Sequence, residues 1–349
     1  MVKAFLSAIA VALIVTAFPG CDKNKASDPT TPSPGPVFAI HDGEQRPDCA
    51  WVDTRTDLVS PQTVDSANWG TPVKVSPPVN DNCPNDDSEI SADGKTLYFY
   101  WSPGLNLSSE ELLLGTTGVY YAQRTGGPGE FGTPHFLELR KGAVYGGADG
   151  HPRVTPAGDK IYFHSTRAEN TGYLQTPVVD DILDIYTAEL TGNSAGAAVN
   201  LGAVINSAYP DGEQGISPDG KTLYFESKRP GGLGNGDIYY STLTGTVWSA
   251  PVNIGAPINT ADNEGQVAFA ANDPTTMYFT SDRNNIGSAI YRSYFNGTAW
   301  ETPVLVVQGQ VGSPSLTADG SLMYFVHVLT DNTPDDPVFE SDIYYLVHK

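Results

Sequence analysis

The amino-acid sequence predicts an all-β protein, a β-propeller made of four-stranded antiparallel blades. One unit recurs five times in the 349 residues, at intervals of about 50–60 residues, a spacing typical of propeller blades and solenoid repeats. Each copy contains a turn and two aromatic-rich strand motifs. The composition, with 36 Gly, 27 Pro and 18 Tyr, favours turns and strands over helices.

The first strand motif of each unit is an aliphatic residue followed by Tyr-Phe, at 97–99, 161–163, 223–225, 277–279 and 323–325. In three copies an Asp-Gly turn precedes it, because glycine accepts the positive φ of a tight hairpin. A second motif follows, as in DIYYST (237–242), and a third strand lies between units. Such a sheet is apolar on both faces, so we expect the copies to stack radially and close into a ring.

The order of the strands predicts five blades, closed by the two ends of the chain. The last unit ends at DIYYLVHK and lacks an outermost strand, whereas WGTPVKV (69–75) is an outermost strand with no blade before it. We therefore expect residues 69–75 to pair with residues 343–347. The alternative is six blades, with residues 38–64 forming a degenerate extra one.

The repeat resembles the WD40-like β-propeller repeat of TolB-type periplasmic proteins. The resemblance is clearest in INSAYPDGEQGISPDGKTLYFESKRPGGLGNGDIYY (205–240) and in INTADNEGQVAFAANDPTTMYFTSDRNNIGSAIY (258–291), and it extends from residue 69 to the C-terminus. It implies a binding or scaffolding module of the cell envelope. It also implies six blades, whereas the strand order favours five.

The N-terminus predicts export and attachment to a lipid. Residues 1–20 have the layout of a signal peptide, with Lys3, an apolar run at 4–18 and then Cys21. Their end resembles a bacterial lipobox, which implies that Cys21 carries the lipid; an ordinary secretory signal is the alternative. Residues 21–37 then form the lipidated cysteine and a flexible tether. Residues 38–68 form an N-terminal extension, and 69–349 the propeller.

The two other cysteines and the charge agree with an exported protein. An oxidising compartment favours a disulfide between Cys49 and Cys83, and two free buried thiols are the alternative. The formal net charge of −21 repels phosphate backbones and argues against nucleic acid as a partner. We expect a protein held at the bacterial envelope by its lipid, on the periplasmic or cell-surface side.

The candidate functional face carries the loops after the Tyr-Phe strands and the loops between blades, which we call the loop face. Just before each innermost strand, one aligned column is expected to ring the mouth of the channel: Asp87, His151, Glu213, Glu264 and Ser313. Carboxylates and a histidine on one axis could bind Ca²⁺, another cation or a cationic ligand group. A solvated acidic rim is the alternative, and no other cofactor is predicted.

Three arginines, Arg167, Arg229 and Arg283, follow the Tyr-Phe strands. They could bind an anionic ligand, or form structural ion pairs with the acidic column or with Asp184 and Asp237. The tryptophans Trp69, Trp248 and Trp300 recur at one position, which predicts packing between blades. Trp51 and Trp101 stand outside that position and are candidates for exposed contacts.

The loops after the Tyr-Phe strands are long in the first, second and fifth units, which a five-bladed ring makes neighbours. We expect them to form a partly apolar wall beside the channel mouth, containing Leu112, Leu113, Leu114, Tyr173, Leu174, Val178, Val179 and Phe339.

The sequence contains no HExxH, GxSxG or Walker motif. The preferred hypothesis is a non-catalytic envelope lipoprotein that binds protein or cell-wall polymer partners. The alternatives are a propeller enzyme of the glycosidase, lyase or lactonase type that uses channel carboxylates, and a purely structural repeat. A closed channel would favour binding, and two carboxylates in a sugar-sized pocket would favour the enzyme.

Overall fold

The protein is a five-bladed β-propeller. A computed structural model describes residues 59–81, 83–102, 117–139, 148–167, 170–171, 183–329 and 340–349. Within these residues the strands form five antiparallel sheets, and the one helical element is a 3₁₀ turn at Arg283–Asn285. No helix in the described part of the chain is long and apolar enough to span a membrane.

The strands follow the predicted repeat. Two short strands, β1 (Gln62–Thr63) and β2 (Val73–Lys74), precede the blades in sequence. Blade 1 contains β3 (Asn85–Ile90), β4 (Thr96–Trp101), β5 (Gly118–Gln123) and β6 (His135–Phe136). Blade 2 contains β7 (Asp149–Val154), β8 (Lys160–Ser165), β9 (Asp184–Thr191), β10 (Ser194–Ala195) and β11 (Val199–Asn200). Blade 3 contains β12 (Asp211–Ile216), β13 (Thr222–Ser227), β14 (Asp237–Thr244), β15 (Val247–Trp248) and β16 (Val252–Asn253). Blade 4 contains β17 (Glu264–Ala268), β18 (Thr276–Ser281), β19 (Ala289–Tyr294) and β20 (Val304–Gln308), and blade 5 contains β21 (Val311–Leu316), β22 (Leu322–Val328) and β23 (Ser341–Val347).

The two ends of the chain close the ring in blade 5, as predicted. Strand β2 pairs antiparallel with β23, with Val73 opposite Tyr345, and an isolated bridge joins Trp69 to His348. The alternative of six blades is wrong in the described residues, because β1 pairs with β20 and extends the edge of blade 4. Strand pairing between distant parts of the chain therefore removes the free edges that an open ring would expose.

Buried asparagine side chains hold the segment after the outer strand against the third strand of a blade. In blade 5, Asn80 donates to the carbonyls of Val75 and Ile343 and accepts from the Ile343 N–H. Asn206 and Asn259 make the equivalent bonds in blades 2 and 3. Burial of such an amide is favourable only when its donors and acceptors are all bonded, so these side chains fix the outer strands.

The phenylalanine of each Tyr-Phe motif forms the core between blades. Phe99, Phe163, Phe225, Phe279 and Phe325 are all fully buried, and each stacks on a tyrosine of the third strand. Burial of one such ring contributes about 2–3 kcal/mol to stability. The Tyr-Phe repeat therefore supplies the apolar surfaces that neighbouring blades share.

Two of the three recurring tryptophans, Trp69 and Trp248, contact neighbouring blades as predicted, whereas the ring contacts of Trp300 are with Phe269 and Phe295 of its own blade. Trp69 packs edge-on against Tyr278 of blade 4, and Trp248 of blade 3 packs against Tyr162 of blade 2. The expectation that Trp101 is exposed is wrong. This side chain ends β4 and is fully buried in the core beside Tyr120.

Several sequence predictions concern residues outside the described part of the chain. They include the signal peptide, Cys21, the tether, Cys49, Trp51 and the predicted wall residues. Cys83 is buried, with 2% of its surface exposed. The disulfide and the lipid anchor therefore stay predictions.

Candidate functional site

Each innermost strand contains a bulge that places one residue in the left-handed region. The five residues are Asp87, His151, Glu213, Gln266 and Ser313, with φ between 49° and 55°. The pairing register shifts at each of these bulges. A side chain in this conformation costs of order 1–2 kcal/mol. The strained conformation recurs in all five blades at the channel, which indicates that the bulges are a regular part of the fold.

The five residues form a closed ring of polar contacts across the channel, which we call the channel ring. Going round, His151 Nδ1 lies 2.9 Å from Asp87 Oδ1 and 3.2 Å from Glu213 Oε2. Gln266 Nε2 donates to Glu213 Oε2 at 2.7 Å, and the Ser313 N–H donates to Gln266 Oε1 at 2.8 Å. The Ser313 hydroxyl completes the circuit to Asp87 Oδ1 at 3.2 Å. Every blade contributes one member, so the polar centre is closed by side chains.

Glu264, which the sequence assigns to this column, lies elsewhere. It stands two residues before Gln266 on β17 and aligns with Asp149 and Asp211. Its Oε1 atom accepts from Ser281 at 2.8 Å and lies 3.3 Å from Arg283 Nη2. Alignment of the repeats by their acidic residues placed Glu264 in the column. The bulge instead brings the residue after the glycine into the channel ring. Gln266 therefore takes the position predicted for Glu264.

The three predicted arginines form a second, structural layer. Arg167 donates to both carboxylate oxygens of Asp149 at 3.0 Å, and Arg229 donates to Asp211 at 2.6 Å. Each guanidinium also lies over two aromatic rings of its own blade, about 5 Å from the ring centres. The arginines therefore form structural ion pairs with acidic residues, which was one of the two predicted roles. Their partners Asp149 and Asp211 were not among the acidic residues predicted from the sequence.

Asp184 and Asp237, the other partners considered, hold loop backbone instead. Asp184 Oδ2 accepts from the Thr171 N–H at 2.7 Å, and Asp237 accepts from the Leu233 N–H at 2.9 Å. These carboxylates fix the loops that follow the Tyr-Phe strands.

The charges in the channel ring are unevenly distributed. Burial alone would raise the pKa of Asp87, but the adjacent His151 holds it below its ordinary value. Burial and the Asp87 charge raise the pKa of Glu213 well above its usual range. Burial, followed by Arg153, lowers the pKa of His151 to about 4. These shifts favour the ionised form of Asp87, the neutral imidazole of His151 and the protonated form of Glu213.

A second histidine, His164 on β8, lies beside the ring. Its Nδ1 atom is 3.8 Å from Glu213 Oε1, and its ring lies 6.0 Å from that of His151, nearly parallel to it. Only 4% of His164 is exposed, and burial lowers its pKa. Asp87, His151 and Glu213 each offer a ligand atom within 4.8 Å of the others, which is a possible metal-binding arrangement.

An acidic pocket opens next to the channel ring between blades 3, 4 and 5. It has about 540 Å³ of empty space, including the solvent at its mouth. Its carboxyl groups are Asp86, Glu213, Glu226, Glu264 and Asp282. Burial raises the pKa of Glu226 to about 8, more than the nearby Lys228 lowers it. Glu226 and Asp86 were not identified from the sequence.

A signal in the sequence does mark the ring positions. In four blades a glycine precedes the ring residue: Gly150, Gly212, Gly265 and Gly312. A side chain at Gly150 would meet His164 Nε2 at 2.7 Å, and one at Gly265 would meet Glu226 Oε2 at the same distance. Glycine is needed at these two positions because the side chain of His164 or Glu226 already occupies the space that a Cβ atom would take. In blades 2, 3 and 4 an acidic residue stands before this glycine. The acidic residue pairs with an arginine, and the residue after the glycine belongs to the channel ring.

No protein-family model matches the chain, and no curated protein matches it. Similar solved structures include TolB proteins. TolB from Acinetobacter baumannii has 12% identity over 77% of this chain and 55% of its own, with a TM-score of 0.41. The chain therefore spans about half the length of that protein. A putative TolB from Agrobacterium tumefaciens has 15% identity over 84% of this chain and 91% of its own, with a TM-score of 0.46.

A glycoside hydrolase domain is also similar in fold. The catalytic domain of the GH62 α-L-arabinofuranosidase of Coprinopsis cinerea has 10% identity over 81% of this chain and 97% of its own, with a TM-score of 0.50. At such identities the similarity concerns the fold alone, which many functions share.

Proposed function

We propose that this protein is a non-catalytic binding or scaffolding module of the bacterial cell envelope. Its loop face binds a protein or envelope-polymer partner, and its N-terminus is lipidated at Cys21 after export. The observation that carries this proposal is the closed channel ring. Its five members contact one another across the axis, which leaves the loop face as the surface open to a partner.

The described loops of blades 3 and 4 support this choice of face. Tyr209, Leu233 and Ile286 are large apolar side chains with 45%, 55% and 40% of their surface exposed. They lie in the loops before β12, between β13 and β14, and between β18 and β19. Exposed apolar groups grouped on rigid loops are characteristic of binding surfaces.

These loops are held in place before any partner arrives. Asp211 accepts from the backbone and hydroxyl of Ser207, beside Tyr209. Glu264 donates its backbone N–H to Gly236, which joins the loop of blade 3 to blade 4. A preorganised surface loses little entropy on binding, which favours affinity.

The proposal is tested by affinity capture from detergent-solubilised envelopes of the source organism. A double variant, Tyr209→Ser with Leu233→Ser, should reduce the recovery of partners at least tenfold. A matched control, Val247→Ser with Val252→Ser, changes exposed apolar residues of the β14–β16 region and should leave recovery unchanged. Equal recovery with both double variants would contradict binding through the loop face.

A propeller enzyme is the second candidate, favoured by one observation. Glu226 faces the acidic pocket, and its pKa of about 8 makes it a proton donor at neutral pH. Hydrolysis of a panel of glycosides and lactones, lost in Glu226→Gln, would support this candidate. Absence of turnover with the whole panel would leave the binding module as the function.

A further inference from the structure

We propose that a divalent transition-metal ion binds in the channel, between Asp87, His151 and Glu213. These residues come from three consecutive blades, and the ion would join their innermost strands. The proposal goes beyond partner binding, because the ion would stabilise the scaffold irrespective of what the loop face binds.

The distances between the donor atoms already fit a metal ion. His151 Nδ1 lies 2.9 Å from Asp87 Oδ1 and 3.2 Å from Glu213 Oε2. Ligands about 2.1 Å from one ion are about 3.0–3.4 Å apart in octahedral or tetrahedral geometry. The donors of Asp87 and Glu213 lie within 4.8 Å of each other, so side-chain shifts would bring all three donors around one ion.

The buried carboxyl groups of Asp87 and Glu213 also favour the binding of a cation. The exposed fractions of Asp87, His151 and Glu213 are 3%, 1% and 6%. Two carboxyl groups that face one imidazole in such a buried place cannot both ionise without a compensating positive charge. A divalent ion supplies that charge and coordinates both carboxylates.

An independent observation is the buried nitrogen of His164. Its Nδ1 atom has no hydrogen-bond partner among the described residues, and it lies 3.8 Å from Glu213 Oε1. A buried polar atom rarely stays unbonded without a functional reason. His164 lies outside the group of three donors that are within 4.8 Å of one another. A shift of its side chain toward an ion beside Glu213 would satisfy this nitrogen and provide a fourth ligand.

The remaining members of the channel ring orient the ligands. Gln266 donates to Glu213 and the Ser313 hydroxyl donates to Asp87. The backbone N–H of His151 donates to the second oxygen of Asp87 at 3.0 Å. Metal ligands in proteins are held by such outer hydrogen bonds. The acidic pocket reaches Glu213 and gives an ion a path from solvent.

The ligand set selects the class of metal. Two imidazoles and two carboxylates suit Zn²⁺ and other first-row transition metals, whereas Ca²⁺ takes six to eight oxygen ligands. We therefore favour Zn²⁺ over the Ca²⁺ considered from the sequence.

The test is titration of the purified full chain with Zn²⁺ after removal of metals by a chelator. We expect one equivalent bound per chain and a rise in melting temperature on binding. Asp87→Asn and Glu213→Gln, which preserve side-chain size, should each weaken binding at least tenfold. His135→Gln removes an exposed histidine on β6 and should leave binding unchanged.

Co²⁺ gives a spectroscopic check on the histidine. Its visible absorption should change in His151→Asn, since asparagine tolerates the left-handed backbone at this position. Melting of the metal-free variants shows whether each is folded. No stoichiometric binding by the wild type, or wild-type binding by the folded Asp87 and Glu213 variants, would overturn the proposal.

Discussion

At the scale of single residues, the arginine layer is a set of buried ion pairs. Arg167 and Asp149 expose only 2% and 3% of their side chains. Removal of one partner leaves a buried charge without compensation, which costs about 3–5 kcal/mol. Arg167→Met keeps much of the apolar volume, and we expect it to lower the free energy of unfolding in urea by about that amount.

The pair of Lys160 and Glu189 is the matched control for that variant. It also joins two strands of blade 2, but 32% and 73% of its side chains are exposed. Lys160→Met should cost less than about 1 kcal/mol. Equal losses in the two variants would contradict a structural role for the arginine layer.

Glu226 predicts a pH dependence of stability. Its pKa of about 8 in the folded state lies above the ordinary value of 4.5, so unfolding releases a proton between these values. The wild type should therefore lose stability as pH rises from about 5 to 8, by up to about 1.4 kcal/mol per pH unit.

Glu226→Gln removes the titrating group, so its stability relative to the wild type should increase as pH rises over that range. Urea unfolding of both proteins in the presence of a chelator, at several pH values, measures the difference. Parallel stability curves would show that the carboxyl is not desolvated as the structure indicates.

At the scale of elements, the asparagine bonds decide whether an outer strand stays in place. Asn80 holds the segment after β2 against β23, where the two ends of the chain meet. Asn80→Ala leaves the N–H and carbonyl of Ile343 without their side-chain partner, which should cost about 2–4 kcal/mol. Hydrogen exchange should become faster in β2 and β23.

Asn259→Ala is the comparison within the same fold. It breaks the equivalent bonds to Ile238 in blade 3, where the outer strands follow directly in the chain. Its faster exchange should stay within blade 3 and leave β2 and β23 protected. Loss of protection at β2 in both variants would show that ring closure does not depend on Asn80.

The bulges explain which elements the sequence predicted and which it did not. Strand order and ring closure followed from the repeated Tyr-Phe motif and from the unpaired segment 69–75. Four of the five channel-ring positions also followed from the repeat, but the fifth did not, because the alignment used charge and placed Glu264 where Gln266 lies. His164 escaped attention because its role depends on packing beside Gly150 and Gly212, which no single repeat displays.

At the scale of the whole molecule, two levels of polar side chains surround the channel. The channel ring closes the centre, and the arginine layer anchors the loops above the Tyr-Phe strands. The apolar cores lie between blades and leave the loop face to vary without loss of the fold. A rigid scaffold with a closed centre and preorganised loops suits partner recognition.

Site-specific photo-crosslinking in intact envelopes tests that claim most directly. A benzophenone amino acid replaces one exposed residue at a time, at Tyr209, Leu233 or Ile286 on the loop face and at Val247 or Phe295 in the turns of the opposite face. We predict crosslinks to one partner from the three loop-face positions and none from the two turn positions. Crosslinks from the turn positions alone, or from no position, would contradict the account.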